Sequence, residues 1–180
     1  MTSKTPWSIP VRRDDVPETG LHLDLSADEK TRNAVAALAG VDALPRLAAS
    51  FDVTRRGSGL RVAGEVVASV GQTCVVTLEP IINEVREPID LVFVPPTPER
   101  ESAADEASQS IDPEAEDEPE MLVDGTADLG AFAIEFLMLG IDPYPRKPGV
   151  AFDAPKKEDD GGHPFAVLAA LKRGGGGREG

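Results

Sequence analysis

Few residues in this chain are suited to bond-making chemistry, and their spacing favours contact over catalysis. Cys74 is the single cysteine, and His22 and His163 are the two histidines, among 180 residues. A thiol nucleophile needs an imidazole or another cation beside it. Neither histidine falls in an element that would partner Cys74, which is expected in a half-buried strand, where a thiol behaves as a small inert hydrophobe. His22 lies on the polar side of an alternating segment, a solvated position. One cysteine excludes an internal disulfide framework and a cysteine-rich zinc site, and two histidines leave little for a histidine-based one. The sequence contains no glycine-rich phosphate loop, no Gly-x-Ser-x-Gly elbow and no His-Glu-x-x-His. No catalytic, metal or cofactor-binding residue is assigned, and the chain reads as a binding protein and not an enzyme.

Binding chemistry concentrates in Asp142-Pro143-Tyr144-Pro145-Arg146-Lys147-Pro148-Gly149, a proline-stiffened segment that holds the only tyrosine beside two cations. An aromatic ring next to positive charge on an extended backbone can stack a base or bind a phosphate. The plainer alternative is a proline-fixed exit from a core helix, with Tyr144 packed on a sheet and Arg146 paired to a carboxylate. Asp142, Tyr144, Arg146 and Lys147 are therefore the candidate residues for contact with a protein or RNA partner.

The preceding residues must position this segment. Asp124-Gly125 is a turn pair, Thr126 can cap a helix, and Asp128 would stand in the first turn, where the positive helix end favours it. Leu129, Phe132, Ala133, Phe136, Leu137 and then Leu139 or Gly140 recur at helical spacing, which predicts a mostly buried helix. Gly140 weakens it, and Pro143 and Pro145 prevent its continuation.

Earlier in the chain, Trp7 to Arg12 alternates as a strand that Pro10 confines to an edge. A loop follows, then a second strand on Leu21, Leu23 and Leu25. Ser26-Ala27-Asp28-Glu29 has the pattern of a capping box and predicts a helix from about 27 to 39, ended by Gly40. Its alanine-rich face, with Val35 and Leu38, suits close packing on a sheet. From Leu44 to Val94 the hydrophobic period becomes twofold. A hairpin joins Ala49–Thr54 to Leu60–Val67 through Arg56-Gly57-Ser58-Gly59; a second turn at Gly71-Gln72 leads to a strand over Thr73–Leu78, and another runs from Ile81 to Arg86 and resumes from Ile89 to Val94 past Pro88. The expected fold class is α+β: an antiparallel sheet of about five to seven strands, able to curl into a half-barrel, with two main helices, a short C-terminal helix and a disordered acidic insertion.

The net charge is −14. Twelve acidic residues against Arg100 alone between Glu99 and Asp128 contribute −11 of it, leaving −3 elsewhere. With almost no large apolar side chains from Arg100 to Glu118, this insertion cannot repay its ordering entropy. Its field repels phosphate and attracts basic proteins. Beyond the proline segment, Val150-Ala151-Phe152 suits a short strand and 154–162 a polar linker. His163-Pro164 then opens a short helix with Phe165, Leu168, Ala169 and Leu171 on one stripe. The chain thus divides into 1–94 (strands, first helix and meander), 95–120 (acidic linker), 121–173 (a strand, the core helix, the proline segment and the C-terminal helix, completing the same domain) and 174–180 (flexible tail). The N-terminus lacks the basic and apolar regions of a signal peptide, no apolar run is long enough to span a bilayer, and a cytoplasmic location is expected.

Three sets of residues together resemble a known family. Cys74-Val75-Val76-Thr77-Leu78-Glu79-Pro80, then Asp128-Leu129-Gly130 leading to Pro143, Pro145 and the rest of 142–149, and finally His163-Pro164-Phe165 are similar in order and spacing to the YceD family, the large ribosomal RNA subunit accumulation proteins. The common family form of the first motif is Cys-x-Arg-Cys-Leu-x-Pro; here Val76 replaces the arginine and Thr77 the second cysteine, so a Cys-x-x-Cys role is unavailable. This version resembles the alphaproteobacterial branch. The resemblance implies a structural part for these motif residues. It also implies a function in the synthesis, processing or stability of 23S ribosomal RNA and in large-subunit assembly. Partners would be ribosomal or assembly proteins of the large subunit, with 23S RNA touched directly or indirectly and no membrane involved. The charge pattern favours attachment through basic proteins. The alternative is an acidic chaperone or anti-factor that binds basic proteins outside ribosome assembly.

Overall fold

The computed structural model describes residues 5–96 and 119–151. Its frame is a meander of three long strands, β3 (Ala43–Arg56), β4 (Gly59–Thr73) and β5 (Pro80–Val94). Alternation places Leu47, Ala49, Phe51 and Val53 of β3 on the same face as Val62, Val66 and Ala68 of β4 and Val85, Ile89 and Phe93 of β5, and all are buried. A register slip of one residue would turn that whole face to water. Phe51 lies opposite Gly64. A Cβ there would run into the Ser50 carbonyl and the Phe51 ring, so the fully buried phenylalanine fits because position 64 has no side chain.

Strand β2 (Leu21–Ser26) adds antiparallel to β3, as its alternation predicts. At the other edge β6 (Glu120–Met121) pairs in parallel with Phe93 and Val94 of β5. The order is therefore β2-β3-β4-β5-β6, a mixed five-stranded sheet that does not close into a barrel. A separate two-stranded sheet joins β1 (Pro10–Arg12) to β7 (Thr126–Asp128), with Pro10 in the edge setting its missing N–H requires. The α+β class stands, and parallel β6 is its departure from an all-antiparallel sheet.

Two strand boundaries differ from expectation. β4 runs straight through Gly71-Gln72, because Gly71 is used for close approach: its carbonyl accepts from the Asp42 N–H, and a Cβ would sit 3.1 Å from that of Ala43. The turn falls instead at Cys74–Leu78, so the expected strand Thr73–Leu78 does not form. β5 is continuous through Pro88, which lies opposite Glu65 while the outer edge of β5 is paired, among the described residues, only at Phe93 and Val94.

Helix α1 (Glu29–Ala39) is capped by Asp28, which accepts from the Thr31 N–H at 2.7 Å, and not by Ser26. Ser26 is already committed to the β2 ladder opposite Ala48. Gly40 ends the helix at φ 67°, the left-handed cap its position predicts. Val35 and Ala36 are buried, but Leu38 is exposed.

Helix α2 (Leu129–Gly140) buries Leu129, Ala133, Ile134 and Leu137, with the Phe132 ring edge-on to Phe93 at 5.1 Å. The buried stripe stops at Leu137, since Met138 and Leu139 face outward. Thr126 is not its cap. Asp124 and Gly125, at φ 50° and 71°, form the tight turn that returns Val123 to Thr126, so the chain enters β7 first and Asp128 becomes the N-cap. Val150 and Ala151 form no strand. Most of the expected acidic insertion lies outside the described residues, as does the segment with Pro164 and Phe165 where a C-terminal helix is expected. No described helix is long and apolar enough to cross a membrane.

Candidate functional site

Two segments about seventy residues apart are fastened together where β4 turns into β5. Within the turn, the Cys74 N–H donates to the Glu79 carbonyl and the Leu78 N–H to the Cys74 carbonyl, each at 2.9 Å. Pro80 then opens β5 opposite Thr73. Facing the turn is the proline segment. The Val75 N–H donates to the Pro145 carbonyl at 2.9 Å, and the Lys147 N–H donates to the Cys74 sulfur at 3.3 Å. The Lys147 ammonium reaches the Glu79 carboxylate at 2.9 Å. Asp142 shapes the approach: its carboxylate accepts from the Tyr144 N–H at 2.8 Å, and its carbonyl accepts from the Gln72 amide at 2.8 Å.

Cys74 is thus neither in a strand nor merely a small hydrophobe. Its sulfur, with no accessible surface, also takes the Thr77 N–H at 3.5 Å. These donors hold the thiol at about 6: the Thr77 hydroxyl contributes most, then the Lys147 and Thr77 N–H groups, with desolvation opposing them. The pairing of Glu79 with Lys147 lowers the carboxyl and raises the amine. Cys74, Thr77, Glu79, Asp142, Pro145 and Lys147 form the internal fastening of the site.

The side chains that take no part in these bonds are a different set. Tyr144 is 70% exposed, Leu78 is 77% exposed, and Arg146 is exposed with no carboxylate in ion-pair range among the described residues. Among the described residues, Tyr144 is not packed on the sheet and Arg146 meets no carboxylate. Proline geometry explains it: Pro145 is buried and bonded through its carbonyl, so the neighbouring side chains point away from the turn. Leu78 adds a second anomaly, a leucine at φ 59°. A non-glycine residue there carries strain of about 1–3 kcal/mol, and such strain gathers at sites of contact. Sequence reasoning placed Leu78 among structural motif residues; its positive φ and exposure have no signal in composition.

Asp128, Leu129 and Gly130 form a second fastening. The Asp128 carboxylate accepts from the N–H groups of Gly130 and Ala131 at 3.2 and 3.3 Å, and also from the Ile9 N–H and the Ser8 hydroxyl at 2.7 Å each. Leu129 is buried and donates its N–H to the Ile9 carbonyl. A Cβ on Gly130 would collide with the Trp7 carbonyl. Ser8 and Ile9 are thus partners of the motif that lie too far upstream for any local pattern to reveal.

His22 sits on the exposed face of β2 between Asp52 and Asp24, at 2.8 and 3.3 Å, and its pKa is raised by those bonds. No group of three His, Cys, Asp or Glu suited to a metal occurs among the described residues. The arrangement offers an aromatic ring, an apolar tip and a cation for binding.

Residues 62–172 match the model of the family described as large ribosomal RNA subunit accumulation protein YceD. The match spans Cys74–Pro80, Asp128–Gly130 and the proline segment. No curated protein matches the chain, and no solved structure matches it.

Proposed function

The chain belongs to the YceD family, and from that premise we propose that it is a non-catalytic factor in the synthesis, processing or stability of 23S ribosomal RNA during large-subunit assembly. The observation that carries this reading is the family match over the two segments that the turn fastens together. Attachment is through basic ribosomal or assembly proteins, because a chain of net charge −14 gains affinity from cations and loses it near phosphate. Tyr144 and Arg146 are the local exception, a ring and a cation suited to a base and a phosphate of the RNA. Lys147 serves mainly to hold Glu79, so a charge reversal at Lys147 would disturb the fold and the contact together.

Affinity capture of the tagged protein from cells, with and without nuclease, tests the function. Precursor 23S RNA and large-subunit proteins should be enriched, and the proteins should survive nuclease. Loss of the proteins with the RNA would move direct RNA contact ahead, and enrichment of neither would overturn the reading. Tyr144→Ala with Arg146→Glu should weaken capture about tenfold in a folded protein. The local charge of −11 also favours a second reading, an acidic chaperone for basic proteins, which predicts promiscuous, salt-sensitive capture by residues 99–128 alone.

A further inference from the structure

Helix α2 leaves a groove along the outer side of β5. It has a volume of about 520 Å³, an apolar floor of Leu91, Phe132 and Phe136, and Leu139 at its lip. Leu139 is 77% exposed, an apolar side chain that nothing in the described fold covers. The rim is acidic. Glu120 and Glu135 line it without an ion-pair partner among the described residues, and Glu87 packs its carboxylate over Gly140 at the end of the helix. Asp90 also lines the groove, but Arg61 holds it through two bonds at 3.0 and 2.8 Å. Among the described residues, no lysine or arginine lines the groove.

An apolar trough bordered by unanswered carboxylates selects for a ligand with apolar side chains flanked by cations. The chain's own acidic segment fits badly, since it would set like charges against the rim. Nucleic acid fits worse, because phosphate would meet carboxylates. We propose that this groove receives an extended lysine- or arginine-rich segment of a partner protein, with one or two large apolar side chains seated against Phe132 and Phe136. The inference rests on the proposed attachment through basic proteins and gives it a place separate from Tyr144 and Arg146.

The test uses the full chain and two short lysine-rich peptides, one with a pair of central leucines and one with serines there, followed by residue-resolved NMR titration. Salt is kept at about 0.15 M so that attraction beyond roughly 8 Å is screened. The leucine peptide should bind more tightly, with shifts centred on Leu91, Phe132, Phe136 and Leu139. Glu135→Lys with Leu139→Ser, both exposed positions, should weaken it about tenfold. Glu120→Lys tests the other end of the rim in a different element. Equal affinity for the two peptides, shifts centred on residues 97–118, or indifference to both variants would overturn the proposal. So would movement of the groove signals on deleting residues 100–118 or residues 163–173, which carry apolar side chains beside Lys172 and Arg173, without peptide, since the chain would then occupy its own groove. Capture from cells is an independent measure: peptide binding without capture of large-subunit proteins leaves the groove and removes the proposed function, and capture without peptide binding does the reverse.

Discussion

A sulfur that accepts backbone N–H bonds from its own turn and from a distant segment is a fastener, and Cys74 holds that position between Thr77 and Lys147. Its thiol is lowered to about 6 in the fold, whereas an unfolded thiol ionises at about 8.5. A group with a depressed folded pKa adds stability that is fully present above the unfolded value and is lost as pH falls through the folded one. Wild-type stability should therefore rise between pH values of about 6 and about 8.5, measured by chemical denaturation across that range. Cys74→Ala should flatten the rise and lower Tm by several degrees; an unchanged slope would show that the sulfur does not carry it. Leu78 makes the opposite case. Leu78→Asn suits φ 59° better and sacrifices little burial, so it should stabilise by about 0.5–1 kcal/mol while weakening partner capture. Cys74, Glu79 and Asp142 to Lys147 were legible as residues of interest, but their joining was not, since no local pattern reports a bond across seventy residues.

At the level of elements, the twofold alternation of β2 to β5 and the Gly40 cap could be read directly because each depends on near neighbours. Structure departs from local pattern where a residue serves a distant strand. Gly71 reads as a turn residue, yet it sits in tight approach to Ala43; Ser26 reads as a cap, yet Ala48 draws it into a ladder. Asp128 combines both kinds of information, capping α2 locally while holding Ser8 and Ile9. Asp128→Ala should cost about 1–2 kcal/mol from the lost cap. Gly130→Val should act through the Trp7 carbonyl and release the N-terminal segment. Trp7 is the only tryptophan and is buried, so its emission reports the release. A red shift is expected in Gly130→Val at temperatures where α2 remains helical; an unshifted spectrum with normal stability would mean that the close approach can relax.

For the whole molecule, half of the net charge lies in residues 100–118, outside the described strands and helices. Residues 100–118 hold eight acids and one arginine, so deleting them removes −7 of the −14 and leaves every described strand and helix intact. If affinity for basic partners came from bulk charge, the deletion would abolish capture of large-subunit proteins. If it comes from shaped contacts on the folded part, the deletion should slow association and shallow its salt dependence while preserving the set of partners, because distant exposed charge acts on encounter more than on the bound state. The expected outcome is the second: unchanged Tm, the same proteins recovered after capture, and a lower association rate at low salt that converges on wild type as salt is raised. Loss of the partners in a folded deletion variant would assign the function to the acidic segment and the folded part to its support.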